Sequence, residues 1–217
     1  MMQVMTRYWL GDLAGANEYF QSGLPFFENP DFLRGPVGRA VAAYAYGSYT
    51  AWAIGRPDTA RERADKIRMV TDASNPHMRA FAGHHEAWLW NFARDYPRSE
   101  VIAAKALELS EKYQFSDSAA RARCLLGYAR AELGQVADGV MLMRRGLADL
   151  AECSSPIGAS YYMAKFAAAQ ALEGNFSEAL DTIERALRTN PEQLASRPEL
   201  GRIRGEIRSR VGLISIV

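Results

Sequence analysis

A basic excess, a phosphate-binding loop, a cysteine framework and a long apolar run are all missing from this 217-residue chain. Each absence removes a class of function. Lys plus Arg numbers 26 against 25 Asp plus Glu, a formal net charge of +1. Proteins that grip nucleic acid through its phosphates concentrate positive charge on one face, so direct nucleic-acid binding is not expected. Two cysteines, Cys124 and Cys153, are too few for a disulfide scaffold in a chain of this length. They read as free, mostly buried thiols in a reducing cytoplasm. The start, Met1-Met2-Gln3-Val4-Met5-Thr6-Arg7, lacks the basic stretch, apolar run and small-residue cleavage site of a signal peptide. The longest uncharged stretch, Ala40 to Gly55, carries Tyr44, Tyr46, Tyr49 and Thr50. It falls short of the roughly 20 strongly apolar residues a bilayer requires and predicts a helix buried among other helices, with no membrane partner.

Catalytic equipment is also scarce. Neither G-x-x-x-x-G-K-[ST] nor a strand followed by G-x-G-x-x-G occurs, and no Ser or Cys stands in a nucleophile elbow. His84-His85-Glu86 is the only cluster that suggests a metal or a proton relay. Adjacent helical side chains diverge by about 100°, whereas a zinc pair needs positions i and i+4. His77 lies seven residues earlier, where the pattern predicts a loop. Glu62, Asp65, Glu108 and Glu111 have Arg and Lys nearby and read as solvated helix faces. The expectation is a protein with no enzymatic activity, no metal and no cofactor.

What is present is a repeat. Gly11-Asp12-Leu13-Ala14-Gly15-Ala16 recurs as Gly55-Arg56-Pro57-Asp58-Thr59-Ala60, Arg94-Asp95-Tyr96-Pro97-Arg98-Ser99, Gly134-Gln135-Val136-Ala137-Asp138-Gly139 and Gly174-Asn175-Phe176-Ser177-Glu178-Ala179. The starts lie 44, 39, 40 and 40 residues apart. A Gly or polar residue at the head of each segment ends one helix, since Gly suits the left-handed conformation there. Two residues on, Leu13, Pro57, Tyr96, Val136 or Phe176 can plug the space between paired helices. Five residues on, Ala16, Ala60, Ser99, Gly139 or Ala179 is small enough to let two helices approach. Twelve residues on stand Gly23, Ile67, Ala106, Gly146 and Ala186, followed by Leu24, Arg68, Leu107, Leu147 and Leu187. Asn29-Pro30, Asn75-Pro76, Ser154-Ser155-Pro156 and Asn190-Pro191 separate the units. No stretch alternates as a strand does.

On these residues the chain resembles the tetratricopeptide repeat (TPR) family. The fifth unit carries the closest match, from Ala167 through Gly174-Asn175-Phe176 to Ala179, Ala186-Leu187 and Pro191. The fourth matches through Leu126-Gly127, Gly134, Gly139 and Gly146-Leu147. The third departs, with Arg94 in place of Gly and Glu86-Ala87 in place of Leu-Gly. A period near 40 exceeds the family's 34, which asks for longer loops or longer helices. In that respect the chain is similar to the repeat region of bacterial winged-helix transcriptional regulators and adenylate cyclases that carry an ATPase domain, down to the closing stretch Glu199-Leu200-Gly201-Arg202-Ile203-Arg204-Gly205-Glu206.

The resemblance implies an all-α fold, an α-α superhelix of about five helix-turn-helix units plus a terminal helix. The whole chain, 1–217, forms one domain with units near 1–29, 33–74, 77–115, 117–153 and 156–190 and a helix over 197–211. It implies a protein- or peptide-binding regulatory module in the cytoplasm, the sensing part of a transcriptional regulator or signalling protein. Attached ATPase, DNA-binding or cyclase domains would lie in a longer chain. The family's inward positions fall on Tyr49 and Trp52, on His84, Trp88 and Asn91, on Arg121, Tyr128 and Glu132, and on Tyr161. These are the candidates for a concave binding groove. Amphipathic aromatics favour interfaces; equally, Trp52, Trp88 and Trp90 at helical spacing could simply fill interhelix space. A small-molecule sensor closing over Trp52 and Trp88 is one alternative. A structural self-association module, a homodimer, is another. Arg197, Arg202, Arg204, Arg208 and Arg210, with Glu199 and Glu206 between them, read as a solvated helix that packs on a following unit, or as a surface for an acidic partner. The tail from Val211 to Val217 is apolar and would be sticky if exposed.

Overall fold

The computed structural model describes residues 2–27, 29, 38–154 and 156–214, with side chains as far as residue 212. Among the described residues there are eleven α-helices and no strand. They run α1 Met2–Trp9, α2 Leu13–Phe27, α3 Arg39–Ala53, α4 Pro57–Met69, α5 Pro76–Phe92, α6 Tyr96–Lys112, α7 Ser116–Glu132, α8 Val136–Glu152, α9 Ala159–Leu172, α10 Phe176–Arg188 and α11 Arg197–Ile214. A single 3₁₀ turn, Leu194–Ser196, precedes α11. Successive helices pack as antiparallel pairs, and the first helix of each pair also packs on the first helix of the next. The result is an inner layer of α1, α3, α5, α7 and α9 and an outer layer of α2, α4, α6, α8 and α10. The unit boundary expected between residues 29 and 33 lies outside the described residues, as do Ser155 and the side chains of the apolar tail from Leu213 onward.

Local chemistry explains the element ends. The residue that opens each repeated segment stops the first helix of a pair by turning left-handed: Gly11, Gly55, Arg94, Gly134 and Gly174 all have φ between 59° and 93°. Arg94 adopts this conformation without glycine's freedom, at a cost of about 1 kcal/mol. Pro57 and Pro76 stand at helix starts, where a missing N–H costs nothing. Asn75 and Asp95 cap their helices by accepting from the backbone N–H of Met78 and Arg98. The long period resides in the helices. Each of α5, α6, α7 and α8 has 17 residues, and three-residue turns join them.

The small positions do what their size allows. Ala16, Ala60, Ser99 and Ala179 are fully buried. A Cβ added to Gly127 in α7 would stand 2.7 Å from the Gly139 carbonyl oxygen in α8, and one on Gly146 would stand 2.6 Å from Cys124 Sγ. Backbone therefore meets backbone between α7 and α8. Of the expected plugs, Pro57 is exposed instead, because it opens α4 with its ring toward solvent. Leu13, Tyr96, Val136 and Phe176 pack against buried clusters.

Helix α3 is buried at every position from Ala40 to Ala51, as the uncharged stretch requires of a helix apolar on all sides. Arg63 reaches it from α4, donating to the Gly47 carbonyl at 2.7 Å while its guanidinium lies 4.1 Å from the Phe20 ring centroid. No helix among the described residues is long and apolar enough to cross a membrane. Helix α11 packs backward on α9 and α10 through Leu200, Ile203 and Ile207, so the arginine-rich segment closes the fifth unit. His77 lies in the first turn of α5 and not in a loop.

Candidate functional site

The inner layer presents aromatic side chains from four of its five helices, and they meet. Tyr8 and Trp9 come from α1, Tyr46 and Tyr49 from α3, Trp88 from α5, and Tyr161 and Tyr162 from α9. Trp9 stands edge-on to Trp88 at 5.9 Å between centroids. Trp88 stacks on Tyr49 at 5.8 Å and on Tyr161 at 4.7 Å. Aromatic pairs at these separations attract beyond their buried area. The superhelix curls tightly enough for its concave side to fill with its own rings. Helix α1 also meets the 3₁₀ turn ahead of α11: a Cβ on Gly11 would stand 3.0 Å from Leu194 Cβ.

Three of the groove candidates lie in this core. Tyr49, Trp88 and Tyr161 are 1%, 3% and 3% exposed, and they are core. The Tyr49 hydroxyl is 2.8 Å from the His85 carbonyl and 2.9 Å from His85 Nδ1. A hydroxyl has one proton. With that proton on the carbonyl, Nδ1 carries its own hydrogen and donates back. Burial holds His85 down to about 3, so the ring is neutral. Asn91, fully buried, fastens helices to one another. Its Nδ2 donates to Ser99 Oγ at 2.8 Å and to the Leu125 carbonyl at 3.0 Å, and Ser99 donates to the Ala87 carbonyl. The set ties α5, α6 and α7 together. Trp52 is half-buried against the same core. Trp90 is buried with Arg98 3.6 Å above its ring.

His84 and Arg121 lie elsewhere. They line a cavity of about 240 Å³ with Tyr46, Phe81, His85 and Asp117. The two histidine rings lean together, with centroids 4.4 Å apart, although adjacent residues were expected to diverge. Burial pushes His84 well below its ordinary value. Arg121 donates to Asp117 at 2.8 Å and to the Ile157 carbonyl at 3.0 Å.

Glu132 is half-buried at a second opening, backed by Tyr128, which is itself only 2% exposed. They line a cleft of about 220 Å³ on the concave side, between the α5–α6 turn, α7, α9 and α11. Tyr128 donates its hydroxyl to Glu132 and stands edge-on to Tyr96 at 5.7 Å. Arg94, Arg202, Glu206 and Arg210 complete the wall. Beneath it, Lys165 lies 4.7 Å from the Tyr128 ring centroid and donates to Glu199 at 2.7 Å. Arg202 grips the same carboxylate with two hydrogen bonds of 2.7 and 2.8 Å. Burial disfavours the Glu199 charge, but the two cations overcome it and hold the carboxyl at about 2. Arg94 and Arg210 are exposed and form no ion pair among the described residues. Both were visible in the sequence, Arg94 only as a departure from the repeat and Arg210 only as part of a basic stretch. What united them with Tyr128 was the curl of the array.

No family model matches the chain. No curated protein matches it either. A solved structure of Podosopora anserina TPR-like repeats, nearly identical to one another and of the kinesin light chain type, superposes with a TM-score of 0.53. The identity is 18%, over 81% of this chain and 93% of that one. The likeness is one of fold: the chain folds as a TPR-like helical repeat superhelix.

Proposed function

We propose that this chain is a non-catalytic protein- or peptide-binding module, and that its ligand enters the concave cleft beside Tyr128 and Glu132. One observation carries the reading. The aromatics fill the middle of the inner layer, and of the two cavities that groove candidates still line, the one at Tyr128 and Glu132 has two exposed cations, Arg94 and Arg210, that form no ion pair among the described residues. The wall offers three arginines, two glutamates and the half-buried ring of Tyr96, with Tyr128 buried behind it. That mixture suits an extended peptide carrying an acidic side chain, with Arg forks for the carboxylate and a ring face for the chain.

We infer a regulatory role from where the cleft lies. Helix α11 forms one wall and is held to α9 through Lys165, Glu199 and Arg202. An occupant that touches Arg202 or Arg210 biases the seat of α11, and with it whatever α11 is joined to. The setting proposed for it, the sensing part of a bacterial transcriptional regulator or signalling protein in the cytoplasm, rests on the resemblance in repeat period.

The test is a peptide array probed with the purified chain, followed by affinity measurements on the strongest binders. Arg94→Glu with Arg210→Glu, both at exposed positions, should weaken acidic peptides at least tenfold with an unchanged circular dichroism spectrum. Binders indifferent to both exchanges refute the cleft. A second reading rests on the cavity beside His84 and Arg121, a mostly apolar space of about 240 Å³ with a few polar groups, which limits any occupant to a small ion or molecule. Thermal stabilisation by small carboxylates but not by peptides, lost in Arg121→Gln, would favour it. A mass that rises with concentration would favour self-association.

A further inference from the structure

The outer layer carries a second feature, built from different residues. Helix α9 is drawn toward the concave core. Tyr161 and Tyr162 lie 4.7 and 5.0 Å from Trp88, and Gly158, left-handed at φ 78°, sits so close that an added Cβ would stand 2.6 Å from the Trp88 ring. On the opposite side α8, α9 and α10 leave a groove of about 530 Å³. Its floor is apolar, from Leu147, Leu150, Met163 and Phe166. Arg144 and Arg185 stand at its rim, and no carboxylate lines it.

The charge distribution singles this groove out. In the outer groove between α4, α5 and α6, Arg68 is bound by Glu86. In the next, Arg123 is bound by Glu111 and Asp149. In the third, Arg144 and Arg185 are exposed and have no carboxylate partner among the described residues. Arg144 has only the Phe166 ring, 5.9 Å from its guanidinium. Each of those two grooves carries a carboxylate in its own wall, whereas the third joins the most apolar floor to two exposed arginines with no carboxylate in its wall.

We infer that this outer groove binds an amphipathic helix of a partner protein, with apolar residues along one stripe and acidic residues flanking it. From Arg144 to Ser154 the wall of α8 runs about 15 Å, three helical turns. An occupant of ten to twelve residues would thus place apolar anchors at about i, i+3 or i+4, and i+7 on the floor. Its flanking carboxylates would face Arg144 and Arg185. The inference is independent of the concave cleft, with which the groove shares no residue.

The probe is a fluorescent 12-residue helical peptide with Leu at those positions and Glu on the flanks, read by anisotropy. Its control is the same peptide with Lys in place of Glu. The acidic peptide should bind at least tenfold more tightly than the Lys peptide. Arg144→Glu with Arg185→Glu, at exposed positions, should reverse that order with an unchanged thermal midpoint. Arg210→Glu, in the concave cleft, should leave acidic-peptide binding as it was. Equal affinity for the two peptides overturns the inference, as does the absence of binding up to about 100 µM. So does loss of binding in Arg210→Glu, which would place the peptide in the cleft. A chain whose mass doubles with concentration, and whose dimer dissociates in the charge-reversed variant, would mean that a second copy covers the groove.

Discussion

Two glycine-to-alanine exchanges should have opposite signs. Gly127 lies within α7, where an added Cβ would stand 2.7 Å from the Gly139 carbonyl oxygen, 2.7 Å from Met143 Cγ and 3.0 Å from Leu142 Cβ. Ordinary contact begins near 3.4 Å. The methionine can move, but the carbonyl belongs to the backbone of α8 and cannot. The helices must part by about 0.7 Å, and a gap of that size forfeits a quarter to a half of each dispersion contact along the seam. Overpacking of this kind costs about 1–3 kcal/mol, at the upper end here because the obstacle is main chain. Removing a helical glycine returns about 1 kcal/mol. Gly127→Ala should therefore destabilise by about 2 kcal/mol, lowering the midpoint by about 4–8 °C. Gly205 sits in the exposed face of α11, and a Cβ there meets nothing within 4 Å. Gly205→Ala should keep only the propensity gain of about 1 kcal/mol and raise the midpoint by about 2–4 °C. Thermal and urea denaturation followed by far-ultraviolet circular dichroism decide between them. If Gly127→Ala is neutral or stabilising, the backbone contact between α7 and α8 is not what holds that pair together.

Acid should destabilise the protein. Burial, reinforced by the Arg121 charge, holds His85 at about 3 against an ordinary 6.5. The unfolded chain then binds the extra proton between those values, so the stabilisation is complete above about pH 6.5 and fades as pH falls toward 3. His85→Asn, which keeps a donor for Tyr49 and does not titrate, should flatten the drop in urea midpoint between pH 7 and pH 4.5; an unaltered slope would deny His85 its part. Gln114 ends α6 at φ 59°, so Gln114→Gly should raise the thermal midpoint by about 2–4 °C. The converse exchange, Gly55→Ala at φ 78° with open space around it, should lower it by a similar amount. Asn91→Ala removes the bonds to Ser99 Oγ and to the Leu125 carbonyl, which keeps its helical partner, and should cost about 1 kcal/mol. A loss under 0.5 kcal/mol would mean that water replaces the amide.

The fold was legible because its rules are local. A left-handed residue at Gly55 or Gly134, a small one at Ala60 or Gly139 and a proline at position 76 each satisfy a requirement set within one helical turn. Recurrence at 40 residues multiplied a weak signal. The concave side was not legible for the opposite reason. Whether Tyr49, Trp88 and Tyr161 face a void or one another depends on the rotation between units summed over the array. Small errors in that rotation decide between groove and core. Trp9, which lies against Trp88, stands outside the repeated segments and gave no sign of its reach. The cleft residues Arg94 and Arg210 are separated by more than a hundred positions, and no spacing rule connects them.

Stacked repeats ordinarily grow or shrink by whole units, since each unit answers only to its neighbours. Here the first helix touches both the third unit, through Trp9 on Trp88, and the turn before the last helix, through Gly11 beside Leu194. Length has become a fixed quantity. Splicing in one more unit would carry residues 194–196 past their berth and leave Trp9 without a seat, while deleting one would bring the ends into collision. The same closure joins early and late segments into one cooperative transition, so unfolding should not begin at either end.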